Sequence, residues 1–270
     1  MKPHQPRKRF GQNFLTDLHY IHKIVATIAP DPSDHLIEIG PGLGALTAPL
    51  LTRAKKLDVI EIDRDLIRQL QQRFSPHELT VHAGDALKFD FSQLPGPLKI
   101  VGNLPYNIST PLLFHLSRFA ENIATMCFML QKEVVMRIAA APGNSDYGRL
   151  SVMLQYRFQV QHLFDVPPGA FYPAPKVTSS ILRLTPLADG CPRAKYEGLF
   201  ADIVTSAFSQ RRKTLRNTLK PFLTEADFAA LDLDPGLRAE RISVTDFIRI
   251  ADHVAAIRIS STAPLTSFVR

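Results

Sequence analysis

The chain has 270 residues, 45% of them hydrophobic, and carries 32 lysines and arginines against 25 acids, for a formal charge of +7. That length suits one large α/β domain with a small appendage. No apolar run approaches the roughly 20 residues of a membrane-spanning helix, and the basic first residues lack an apolar signal core. The two cysteines, Cys127 and Cys191, have no metal-clip spacing, so a reducing, cytoplasmic location is expected and no metal. The excess of cations attracts polyanions such as nucleic acid.

Asp17 is placed to cap a helix running to about residue 29, stopped by Pro30 and Pro32. Residues 36–39 read as a buried strand and 45–51 as the helix after it; 57–62 is a second strand, followed by a helix through Leu66, Leu70 and Phe74. Residues 79–82 and 98–101 read as the third and fourth strands, 111–119 as a helix, 125–130 as a fifth strand and 133–140 as another helix. Strands alternating with helices imply right-handed crossovers and a mainly parallel sheet. The alternation then breaks. Residues 149–157 read as a helix, but 160–166 and 179–184 as strands with no helix between, the order of an antiparallel hairpin at the sheet edge. After a linker over 185–192, helical spacing returns at 196–208, 213–222, 225–231 and 244–257. The expected architecture is an α/β domain over residues 1–186 and a small all-α domain over 190–270.

Glu38-Ile39-Gly40-Pro41-Gly42-Leu43-Gly44-Ala45 stands at a strand-to-helix turn. Glycines allow the tight turn and let a ligand approach the backbone. Gly40, Gly42 and Ala45 also satisfy the dinucleotide fingerprint, so the loop alone does not choose its ligand. Two carboxylates sharpen the reading. Glu61 lies 21 residues after Gly40 at the end of the second strand, where it can accept from ribose hydroxyls. Asp85 follows the third strand and can accept from an adenine amino group. Together they describe a pocket for an adenosine. A dehydrogenase needs a hydride-transfer constellation as well, and none stands at a strand end.

Asn103-Leu104-Pro105-Tyr106 follows the fourth strand and resembles the Asp/Asn-Pro-Pro-Tyr motif of amino-group methyltransferases. The flanking blocks resemble the ribosomal RNA adenine dimethyltransferases, and within them the bacterial small-subunit branch linked to kasugamycin sensitivity. They are Arg-Lys-Arg-Phe-Gly-Gln-Asn-Phe-Leu at 7–15, the glycine loop at 38–44, Gly-Asn-Leu-Pro-Tyr-Asn-Ile-Ser-Thr-Pro at 102–111, Met-Leu-Gln-Lys-Glu-Val at 129–134, Tyr-Gly-Arg-Leu-Ser-Val at 147–152 and Phe-Tyr-Pro-Ala-Pro-Lys-Val at 171–177. The likeness resumes at Gln-Arg-Arg-Lys-Thr-Leu-Arg-Asn over 210–217.

The resemblance implies a Rossmann-like class I methyltransferase fold and S-adenosyl-L-methionine as cofactor. It implies dimethylation of two adjacent adenines in a hairpin near the 3′ end of 16S ribosomal RNA, within a small-subunit assembly intermediate. Asn13, Leu15, Gly40, Gly42, Glu61, Asp85 and Asn103 would hold the cofactor. The Asn103 side-chain oxygen and the Leu104 carbonyl would accept from the adenine amino group, and Tyr106 and Phe171 would wall the base. Tyr172 and Ala174 fill variable slots of the last motif, an effect expected on loop packing. Arg7, Lys8, Arg9, Arg211, Arg212, Lys213 and Arg216 are the expected RNA contacts, since arginine and lysine bind phosphates and arginine stacks on unpaired bases. A monomer is expected. The alternatives are a large-subunit methylase conferring macrolide resistance, a non-enzymatic factor on the same fold and, more distantly, an oxidoreductase.

Overall fold

The computed structural model describes residues 12–260; Arg7, Lys8 and Arg9 lie outside the described residues. Contacts divide the chain into two units. One runs to Val135 and takes in Phe158–Pro186; the other comprises Met136–Arg157 and the residues from Leu187 on.

In the first unit, β1 (Phe14–Leu15) precedes α1 (Leu18–Ile28). Asp17 caps that helix, accepting from the backbone N–H of His19 at 2.8 Å, and the buried residues Ile21, Ile24, Val25 and Ile28 form one stripe along it. The helix ends where Ala29 turns left-handed at φ 47°, ahead of Pro30. Then come β2 (His35–Ile39), α2 (Thr47–Leu51), β3 (Leu57–Glu61), α3 (Arg64–Arg73), β4 (Leu79–Ala83), β5 (Leu98–Asn103), α4 (Ser109–Leu116), β6 (Ile123–Gln131) and the first residues of α5 (Lys132–Ala139). Strands β4, β3, β2, β5 and β6 lie side by side and parallel. β2 in the centre is a near-continuous apolar run because helices cover such a sheet on both faces.

The expected late hairpin is present with an inserted return strand. β7 (Phe158–Val166) lies at the sheet edge and β9 (Ser179–Pro186) runs antiparallel between β6 and β7. The connection between them carries β8 (Phe171–Tyr172), which leaves the main sheet to pair antiparallel with β1.

The second unit holds α6 (Arg149–Gln155), α7 (Glu197–Ala207), α8 (Leu215–Thr218), α9 (Glu225–Ala230) and α10 (Val244–Ser260). Its core gathers Val152, Tyr156, Phe200, Ile203, Val204, Phe247 and Val254. The Tyr156 and Phe200 rings stack with centroids 4.2 Å apart, and the Tyr147 hydroxyl donates to the Ile242 carbonyl at 3.0 Å. These contacts place residues 136–157 with the C-terminal helices, whereas the sequence reading put the division only at 186–190. The expected helix over 213–222 shrinks to the four residues of α8, since Thr214 is extended at ψ 166° and Pro221 follows.

One glycine sets how closely the central strands approach at the site. A Cβ on Gly102 would stand 2.4 Å from the Ile39 carbonyl oxygen, so β5 can lie against the end of β2 only without a side chain there. Gly102→Ala is expected to cost roughly 1–3 kcal/mol of stability by overpacking. Gly84→Ala, where nothing lies within 4 Å, is expected to stay within about 0.5 kcal/mol of the parent. Urea unfolding of both variants checks the contrast.

Candidate active site

A cavity of about 440 Å³ opens beyond the carboxyl ends of β2, β3 and β5 and the turn after β4, the crevice where open α/β sheets bind ligands. The glycine loop forms its floor. Gly40 and Gly42 take φ +66° and +58°, left-handed values that glycine adopts at no steric cost. The Gly40 N–H donates to the Ile60 carbonyl at 2.9 Å, joining the loop to the end of β3. Above the loop lie residues 12–16, all of which line the cavity. The Phe14 ring comes within 3.1 Å of the point a Cβ on Gly42 would occupy, so the second glycine makes room for this lid.

Glu61, at the last position of β3, accepts through Oε1 from the N–H groups of Ile62 and Asp63, both at 2.9 Å. Its Oε2 faces the Gly42 N–H at 3.4 Å. Burial raises its pKa, and these backbone hydrogen bonds oppose the rise. Asp85 lines the cavity and accepts from the Leu87 N–H at 3.0 Å through Oδ1. Glu38 was not singled out in the sequence, although its signal was there: one acid inside the apolar run of β2. It is fully buried, lines the cavity, and accepts from the Thr47 hydroxyl at 2.6 Å. Burial pushes its pKa up to about 7, opposed by the Thr47 hydrogen bond. Among the described residues lining the cavity, the charged ones are Glu38, Glu61 and Asp85; there is no lysine, arginine or histidine.

Asn103 ends β5 and its side-chain NH₂ donates to the Asn13 carbonyl at 3.0 Å. That bond fixes which way the amide points and leaves Oδ1 as the opposite acceptor. The Leu104 N–H donates to the Met129 carbonyl at 3.2 Å, tying the loop to β6. Pro105 and Tyr106 line the cavity, and the Tyr106 hydroxyl lies 2.8 Å from Ser179 Oγ. Burial raises the Tyr106 pKa, which keeps the phenol neutral.

The structure therefore brings Asn13, Leu15, Gly40, Gly42, Glu61, Asp85, Asn103, Leu104 and Tyr106 to one cavity. Phe171 is not among the lining residues. It is 5% exposed, pairs with Leu15, and packs in the core with Val166, Ala170 and Ile181. Its short strand turns the ring inward, so the structure does not set Phe171 on the wall of this cavity. Phe14, not anticipated from the sequence, lines the cavity instead.

In the helical unit, Arg211, Arg212 and Lys213 lie in the turn before α8, and Arg216 lies on it. Arg211 donates to the Ser145 carbonyl at 3.0 Å, and Arg216 pairs with Glu225 at 2.8 Å. Both side chains of that ion pair are more than half exposed, where such a pair holds a cation in place at little gain in stability.

Comparison with known proteins follows the same lines. The profile described as ribosomal RNA adenine dimethylase matches residues 3–256. A ribosomal RNA small subunit methyltransferase A from Aromatoleum aromaticum is 62% identical over 95% of this chain and 97% of its own length. Its namesake from Nitrosospira multiformis is 56% identical over 94% of this chain and 98% of its own. Among solved structures, a dimethyladenosine transferase from Plasmodium falciparum superposes with a TM-score of 0.75 at 26% identity, covering 88% of this chain and 95% of that one. The 23S rRNA methyltransferase ErmE gives 0.70 at 26% identity, covering 90% of this chain and 100% of that one.

Glu38 makes stability depend on pH in a defined sense. It holds its proton more tightly folded than unfolded, so between about pH 4.5 and 7 the native state carries more protons and stability falls as pH rises, levelling off above 7. The lost stability is on the order of 3 kcal/mol. Glu38→Gln keeps an acceptor for Thr47 and removes the titration. Urea midpoints from pH 5 to 8 are expected to fall less steeply for the variant than for the parent.

Proposed function

The chain belongs to the ribosomal RNA adenine dimethylase family, and from that membership we infer that it transfers methyl groups from S-adenosyl-L-methionine to two adjacent adenines near the 3′ end of 16S ribosomal RNA. The enzyme is a ribosomal RNA adenine dimethyltransferase. The product on each base is N6,N6-dimethyladenosine, and the substrate is a partly assembled small subunit, modified in the cytoplasm by a monomer.

The charge of the cavity supports the cofactor assignment. A pocket lined by the acids Glu38, Glu61 and Asp85, with no cation among its described residues, disfavours a pyrophosphate and favours a ligand bearing sulfonium and ammonium groups. Glu61 would accept from the ribose hydroxyls, Asp85 from the adenine amino group, and the glycine loop would take the remainder against its backbone. Bound there, S-adenosyl-L-methionine supplies an already electrophilic methyl group.

The protein's remaining task concerns the acceptor nitrogen, whose lone pair is delocalised into the purine. Asn103 Oδ1 and the Leu104 carbonyl, both accepting from the amino group, favour a pyramidal nitrogen with a localised pair. They stabilise the charge that develops there in the transition state. The Asn13 carbonyl keeps the amide turned for this work. Tyr106 offers its ring to the base, a contact worth about 1–3 kcal/mol. Holding nitrogen and methyl group in line supplies roughly 7–11 kcal/mol more in well-oriented pairs. A target base must be unpaired or extruded to enter, and Arg212 and Lys213, with Arg211 and Arg216, would meet phosphates from the helical unit.

A large-subunit target is the second reading, favoured only by the structural likeness to ErmE; identity to the small-subunit relatives is far higher. Purified protein with labelled cofactor is expected to methylate immature small subunits and not large ones. Expression is expected to restore kasugamycin sensitivity to a strain lacking the modification, without erythromycin resistance. Asn103→Ala is expected to lower kcat by at least roughly 100-fold while cofactor affinity changes modestly; near-normal turnover refutes its role. Asp85→Ala is expected to weaken S-adenosylhomocysteine binding roughly 10- to 100-fold by calorimetry.

A further inference from the structure

The ladder between β1 and β8 sets Phe14 opposite Tyr172 and Leu15 opposite Phe171. Side chains directly opposite one another in an antiparallel pair project to the same face, and successive ones to opposite faces. Leu15 and Phe171 take the inward face, 4% and 5% exposed. Phe14 takes the other face, where it lines the cavity and covers Gly42. Tyr172 shares the face of Phe14 and is 68% exposed. Backbone pairing thus holds an aromatic ring beside the cavity's lid and leaves it in water. Downstream, Pro173, Ala174, Lys176 and Val177 are exposed as well, and no acid occurs from Tyr172 to Ser180. A ring for a base and an ammonium for a phosphate, in a stretch that carries no acid of its own, suit a single-stranded nucleic acid.

We propose that Tyr172 is a stacking platform for the unpaired nucleobase next to the target adenine, with Lys176 meeting the adjoining phosphate. The proposal rests on the reading of the substrate as RNA. A nucleotide drawn into the cavity leaves its neighbour without a stacking partner at the rim, and the Tyr172 ring replaces that partner. Where two adjacent adenines are modified, the base not in the cavity is the one on Tyr172. Nothing in the likeness to other methyltransferases assigns this position, which fills a variable slot of its motif.

The test uses the full chain with S-adenosylhomocysteine and a hairpin RNA carrying 2-aminopurine beside the target adenine. The parent and Tyr172→Phe are expected to quench its fluorescence on binding; Tyr172→Ala is expected not to. On immature small subunits Tyr172→Ala is expected to raise KM for RNA roughly 5- to 150-fold, the loss of one stacked base, with kcat and S-adenosylhomocysteine affinity unchanged. Parent-like quenching and KM in Tyr172→Ala overturn the proposal. So does a parallel loss of cofactor affinity, which assigns the ring to lid packing. So does a loss confined to protein-containing particles with hairpin binding intact, which assigns the face to a ribosomal protein. A parent protein that binds and quenches but transfers no methyl group overturns the proposed function and leaves the platform standing.

Discussion

The hydrogen bond from the Asn103 amide to the Asn13 carbonyl joins the two halves of the site. Asn103 ends a central strand whose place is set by close packing: Gly102 lets β5 approach the Ile39 carbonyl, and Leu104 is tied to β6. Asn13 belongs to the segment that covers the glycine loop. A single amide therefore reads both the sheet and the lid, and its free oxygen points where it does because the other end of the amide is occupied. A carboxylate in its place has no donor to offer the Asn13 carbonyl, and two acceptors would face each other.

Around that bond the protein separates its charges. The chain is basic overall, yet the described charged residues lining its cavity are all acidic. On the proposed function the two sets would serve different ligands, a polyanion outside and a small cationic molecule within. Burial makes the acids costly to ionise, Glu38 above all, and a cation bound in the cavity would offset that cost by stabilising the ionised form of both Glu38 and Glu61. The same arrangement disfavours the dinucleotides that the glycine spacing alone would admit.

Much of this was legible in the residues. The alternation of strands and helices announced the sheet, because a buried parallel strand must be an apolar run. Gly40, Gly42, Glu61, Asp85 and Asn103 each stand at a strand end, where spacing from the preceding run locates them. What escaped was decided by contacts between distant segments. Phe171 and Tyr172 form a strand of two residues, too short for a period to say which ring faces inward; only pairing with Phe14 and Leu15 decides it. Residues 136–157 follow the α/β alternation in order but bury Val152 and Tyr156 among helices from beyond residue 187. The helix expected over 213–222 starts only after the extended Thr214, and Glu225 arrives from the next helix to pair with Arg216.

The pairing of β1 with β8 also bears on how the protein is made. Thr16 waits for the Ala170 carbonyl, 154 residues further along, and at roughly 5–20 residues per second a ribosome needs about 10–30 s to deliver it. Until then β1 of the nascent chain has no β8 to pair with. β9 emerges later still and must slot between β6 and the waiting β7. A chain released before residue 170 lacks both the strand that β1 pairs with and the strand between β6 and β7.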